Sequence, residues 1–145
     1  MKKRVMGLFL LSGVLMCQPV LAMSNTPSPV STANVENATP YASDYIAEYM
    51  GELFNTGNTL ELTSHLITFY TDKIEIKAQI QSYSNGSWSN YGSVIKRTST
   101  GTSVALDQEK TVPDGKYRVK YTFNAYVDDE VVETRSYTTG GVNVP

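Results

Sequence analysis

The chain has 145 residues, 41% of them hydrophobic, with 12 lysines and arginines against 14 aspartates and glutamates and a formal charge of −2. One histidine and one cysteine exclude a His-rich zinc site and a multi-disulfide scaffold. The missing basic excess argues against nucleic acid, whose phosphate backbone asks for a counterion-releasing stripe.

Met1-Lys2-Lys3-Arg4 precede an apolar run from Val5 through Leu11 to Val14, Leu15 and Met16, and Val20-Leu21-Ala22 offers small-residue cleavage. That pattern reads as a signal peptide over residues 1–22 and predicts a secreted or cell-surface protein. Ser12, Gln18 and Pro19 interrupt a run that a membrane span would need to extend to about 20 apolar residues, so no transmembrane span is expected in the mature chain. Cys17 as a lipid-attachment site would want a small preceding residue and has Met16, so cleavage after Ala22 is the expectation. The remaining chain has no cysteine, which excludes disulfides and thiolate chemistry, and its charge falls to about −5.

Residues 23–40 hold Pro27, Pro29 and Pro40 among small polar residues and read as a disordered leader, leaving one domain over 41–145. Tyr41, Tyr45 and Tyr49 recur every four residues beside Ile46, Met50 and Leu53, with Ser43 placed to cap a helix starting at Asp44. A helix of about two turns cannot stand alone, so this element either docks on a sheet or is an edge strand. Leu60–Thr63 and Leu66–Tyr70 form a β region with a break expected at Ser64 and His65. From Lys73 to Gln81 apolar residues fall on even positions and polar ones on odd, a strand with one buried face.

Asn85-Gly86 supplies a tight hairpin turn into a strand carrying Trp88, Tyr91, Val94 and Ile95. A strand from Ser103 to Val112 ends at Pro113-Asp114-Gly115, and Lys116 to Val127 alternates with Val119, Tyr121, Phe123 and Ala125 on one side. Asp128-Asp129 turns the chain into Glu130–Thr138, and Gly140-Gly141 precedes Val142–Val144. The expected fold is all-β: a single antiparallel two-sheet β-sandwich of six to seven strands, with a short N-terminal helix or edge strand. A closed barrel is the alternative.

The succession Gln79-Ile80-Gln81-Ser82-Tyr83, Asn85-Gly86-Ser87-Trp88 with Tyr91 and Ser93, Pro113-Asp114-Gly115-Lys116-Tyr117-Arg118-Val119 and Glu133–Thr138 resembles a family of small exported β-sandwich proteins of Gram-positive bacteria with uncharacterised function. The resemblance covers roughly residues 50–142. It implies an exported sandwich and transfers no active site.

His65 would have to anchor any catalytic triad, yet adjacent Ser64 points to the opposite face of a strand, leaving a distant serine such as Ser103. No enzyme is expected. Asp128, Asp129 and Glu130 are candidate metal ligands at a turn, although they lack the alternating ladder of a calcium loop and a solvated turn is the plainer reading. Asn37-Ala38-Thr39 and Asn85-Gly86-Ser87 match glycosylation acceptors that a leader and a turn explain without glycan. No phosphate loop or dinucleotide fingerprint is present, so no cofactor is expected.

Ten tyrosines and a single tryptophan are the positive hint. Trp88, Tyr83, Tyr91 and Tyr126 are the candidate ligand-binding residues of an aromatic strip, while a lone tryptophan in a sandwich is more commonly a core plug. Lys116, Arg118 and Lys120 read as the solvent face of a strand. The sequence therefore predicts a secreted non-enzymatic binding module for an extracellular glycan or protein. Its alternatives are a carbohydrate-binding module using the aromatic strip and a self-associating structural protein pairing through a strand edge.

Overall fold

The computed structural model describes residues 44–145. The expected signal peptide and leader, Cys17, the Asn37 motif and the expected cap at Ser43 lie outside the described residues. Within them the chain forms strands β1 (Ile46–Thr56), β2 (Thr59–Thr68), β3 (Lys73–Ser84), β4 (Ser87–Asn90), β5 (Ile95–Ser99), β6 (Ser103–Thr111), β7 (Gly115–Val127), β8 (Glu130–Thr138) and β9 (Val142–Val144). All pairings are antiparallel, in a three-stranded sheet ordered β1-β2-β6 and a six-stranded sheet built on β4-β3-β7-β8. The expected sandwich is present, with nine strands rather than six or seven.

The N-terminal element is the edge strand and not the helix. The register slips between Ile46 and Glu48, so Ile46 faces inward and the inward set then continues at Tyr49, Gly51, Leu53 and Asn55. That bulge spaces apolar residues three and four apart, which imitates a helical period in an extended chain. β2 runs unbroken through Ser64 and His65. Ser64 faces the core and its hydroxyl donates to the Met50 carbonyl at 2.6 Å, so a satisfied inward polar residue stands where a break was expected.

Both outer columns of the large sheet are split at one level. β5 pairs Ile74–Ala78 of β3 and β4 pairs Gln81–Ser84, while on the far side β8 pairs Lys120–Val127 of β7 and β9 pairs Gly115–Tyr117. The two breaks flank Ile80 and Val119, which are themselves paired. Backbone groups at the breaks are still met: Tyr91 N–H donates to the Ile80 carbonyl at 2.8 Å, Thr139 N–H donates to the Val119 carbonyl at 3.0 Å, and Thr139 Oγ1 accepts from Val119 N–H at 3.0 Å. The single strand expected to carry Trp88, Tyr91, Val94 and Ile95 is thus two strands, separated where Gly92 takes φ +67°.

The core lies between the sheets. Leu53, Leu60, Leu62, Leu66 and Leu106 of the small sheet meet Ile74, Ile76, Val119, Tyr121 and Phe123 of the large one, each at most 1% exposed. Tyr121 and Phe123 stack at 6.1 Å between centroids, and Tyr49 tilts against Phe123 at 5.0 Å. The turns follow their sequences: Asn85 and Gly86 both take positive φ, as do Asp128 and Asp129, the requirement of a tight two-residue hairpin.

Candidate functional site

Because residues facing one another across an antiparallel ladder share a face, the register fixes the outer surface of the large sheet as a series of ranks. Trp88, Tyr83 and Lys116 form the first, Asn90, Gln81 and Arg118 the second, and Gln79 and Lys120 the third. Lys96, Lys77 and Thr122 come next, then Thr98, Glu75 and Asn124, and finally Lys73 and Tyr126. The first and last ranks lie about 33 Å apart along the strands.

Trp88 is on this outer face, half-buried, and is not the core plug; Tyr121 and Phe123 take that place. The Tyr83 ring, 43% exposed, tilts against the indole at 5.1 Å, and the Arg118 guanidinium carbon lies 4.4 Å from the indole centre. Lys116 Nζ stands 5.6 Å from the Tyr83 centroid. Gly141 makes room for this cluster, since a Cβ there would come within 3.2 Å of the indole edge and 2.9 Å of Lys116 Cε. Gly141 thus has a packing role that the sequence alone did not suggest.

Beside the aromatic pair is a shallow hollow of about 290 Å³ lined by Lys77, Gln79, Gln81, Asn90, Val94, Lys120 and Thr122. It opens at the β4–β5 break, with Val94 among its lining. Its carboxamides are held by hydrogen bonds to one another, to Arg118 and to the backbone. Gln81 Oε1 accepts from Arg118 Nε at 2.8 Å and Gln81 Nε2 donates to Asn90 Oδ1 at 3.1 Å, while Gln79 Nε2 donates to the Ile80 carbonyl at 2.8 Å.

The other candidates are placed differently. Tyr91 turns from the strip and meets buried Tyr117 edge-on at 5.4 Å, so it belongs to the margin of the core. Tyr126 is on the outer face but at its far end, under Lys73 at 4.5 Å and donating its hydroxyl to Glu75 Oε1 at 3.0 Å. Asn124, although on the outward side of the β7 alternation, is buried and donates to the same Glu75 oxygen at 3.0 Å. Burial raises the Glu75 pKa, but hydrogen bonds from Lys77, Asn124 and Tyr126 outweigh it and hold the carboxyl below its ordinary value.

Asp128 and Asp129 cap the convex β7–β8 turn, where Asp129 pairs with Lys73 at 2.7 Å and Asp72 Oδ2 accepts from Asp128 N–H at 2.6 Å. Among the described residues no group of three or more His, Cys, Asp or Glu side chains is arranged to hold a metal ion.

The outer face of the small sheet carries the opposite charge. Glu48 and Glu52 on β1, Glu61 on β2, and Asp107 and Glu109 on β6 project there, with Glu61 directly opposite Glu109. His65 Nε2 lies 2.9 Å from Glu48 Oε1, and both line a shallow hollow of about 490 Å³ that also includes Ser103. Ser103 sits diagonal to His65 in the register and shares no hydrogen bond with it.

Among the described residues no helix is long and apolar enough to cross a membrane. Comparisons with protein-family models, curated proteins and solved structures gave no match, so the likeness to small exported proteins rests on the residues that suggested it.

Proposed function

We propose that the chain acts outside the cell as a non-catalytic carbohydrate-binding module, with its site on the outer face of the six-stranded sheet. The observation that carries this reading is the hollow lined by the Gln79, Gln81 and Asn90 carboxamides, which begins one rank along the sheet from the exposed Tyr83 ring and its neighbour Trp88. Sugars present alternate apolar C–H faces and hydroxyl edges; aromatic rings receive the former and carboxamides, each both donor and acceptor, receive the latter. The basic N-terminus and apolar run of the sequence support export.

Titration of the full chain with neutral and acidic oligosaccharides, followed by Trp88 emission, tests the proposal. Since Trp88 is the single tryptophan, any change in emission reports this face. A saturable change that Tyr83→Ala weakens in a folded chain is the expected result. Unaltered emission across the panel, with no sugar retained in a parallel calorimetric titration, would rule it out.

A further inference from the structure

Resting on the carbohydrate reading above, the structure assigns the chemical class of the ligand: we infer that the outer face of the large sheet takes an anionic glycan, a chain of sugars bearing carboxylates. The net charge of −2 conceals this because it averages two faces of opposite sign. Lys73, Lys77, Lys96, Lys116, Arg118 and Lys120 occupy outward positions of the large sheet, with Glu75 as the carboxylate among them at its strand positions. The outward carboxylates of the small sheet lie on the opposite side of the sandwich. A surface charged only for solubility would intersperse both signs.

Which cations remain available is more specific than their number. Lys73 is held by Asp129 at 2.7 Å and Lys77 by Glu75 at 2.9 Å, both toward the Tyr126 end. Lys96, Lys116, Arg118 and Lys120 meet no carboxylate among the described residues, and Lys116, Arg118 and Lys120 follow one another along a single strand at every second position. They therefore stand about 7 Å apart, beside the hollow and the aromatic pair. Arg118 is also fixed in place, bonded through Nε to neutral Gln81 and stacked on Trp88, so little side-chain freedom is lost when it meets a carboxylate.

The same cations and aromatics suit single-stranded nucleic acid in part, but that ligand stacks successive bases on successive rings. Here the rings lie at the two ends of the face, with Tyr126 engaged by Glu75 and Lys73, and the stretch between is carboxamide and lysine. A second copy presenting its acidic small-sheet face is the other complementary partner. It offers nothing for the ordered carboxamides of the hollow beyond its carboxylates.

The decisive experiment compares oligouronates (galacturonate, mannuronate-guluronate and hyaluronate oligomers) with the same oligomers methyl-esterified at their carboxyl groups, by calorimetry and Trp88 emission on the full chain. We expect at least one acid form to bind about tenfold or more tighter than its ester, and that advantage to collapse as salt screens the face. Lys120→Gln and Arg118→Gln should each weaken the acid form by about tenfold and the ester by much less, so that the preference for acid over ester falls, with Arg118→Lys restoring part of it. Equal binding of acid and ester forms would overturn the anionic assignment while leaving the carbohydrate reading in place. No sugar binding, with saturable binding of a thymidine oligonucleotide, would overturn both. No sugar binding, with salt-sensitive self-association seen by light scattering, would overturn both in favour of copies stacking face to face.

Discussion

The ring of Tyr121 packs against the backbone of Gly51: a Cβ at Gly51 would overlap Cδ2 and sit 2.6 Å from Cε2 of that ring. Both residues are buried, and the ring has nowhere to go, because its hydroxyl donates to the Glu52 carbonyl at 2.7 Å and its other neighbour is Phe123. The contact joins β1 to β7 across the sandwich, so a glycine in the edge strand sets how closely the two sheets approach.

Gly51→Ala should therefore cost about 3 kcal/mol or more of stability, the upper end of what overpacking a core costs. Urea unfolding followed by circular dichroism measures it. Tyr121→Leu in the same chain should recover part of the loss, since the two residues are in contact and their effects do not add. An alanine variant as stable as the parent would mean that the sheets can move apart without penalty.

Glu133 fastens the start of β1 to β8. Its Oε2 accepts from Tyr45 N–H at 3.2 Å and Ile46 N–H at 3.0 Å, and Arg135 Nη2 lies 2.6 Å from Oε1. Glu133→Ala should lower stability by about 2–3 kcal/mol, the range for hydrogen bonds to a charged group with partners left behind. Hydrogen exchange gives the sharper test: the Tyr45 and Ile46 amides should lose protection before those of β3 and β7. Unaltered exchange at both amides would show that the clamp is not needed to seat β1.

Acid should weaken the domain through Glu75. Its folded pKa lies below the ordinary value of 4.5, so it contributes stability that is fully present above that value and is lost as the pH falls through the lower, folded one. Glu75→Gln should flatten this part of the pH dependence, lowering stability at pH 7 more than at pH 3. Thermal melts of both chains at the two pH values suffice, and parallel curves for parent and variant would contradict the assignment.

Gly141→Ala should disturb the aromatic cluster without unfolding the domain. The new methyl displaces Lys116 Cε, the flexible end of a side chain, and presses the indole edge of Trp88. We expect a shifted Trp88 emission and a destabilisation of about 1 kcal/mol, the central value for point substitutions. Emission identical to the parent would mean that the indole does not rest on this backbone.

Much of the sheet structure was legible because one-sided burial imposes a period of two on Lys73–Gln81 and on Lys116–Val127, and because Asn85-Gly86 and Asp128-Asp129 mark their turns locally. What was not legible depended on pairing. The slip at Ile46 and Glu48 disguised a strand as a helix, and the aligned breaks at Ile80 and Val119 exist only once β3 and β7 are side by side. Tyr83 and Trp88 were readable as neighbours from the hairpin they flank. Tyr91 was not separable from them, since the chain leaves the ladder at Gly92 and the period no longer tells which way a side chain points. The charge pattern was hidden most deeply: Glu61 and Lys120 are unremarkable in a list of residues, and only the two-sheet arrangement sends their neighbours to opposite sides.

That separation of charge gives the sandwich an electric moment roughly perpendicular to its sheets. Near a polyanionic matrix the domain would experience a torque before it experiences a contact, turning the Lys116–Lys120 side inward and the Glu61–Glu109 side to the medium. A layer of bound molecules would then display carboxylates outward. The coated surface would keep the sign it had before, so binding would change its chemistry without neutralising its charge.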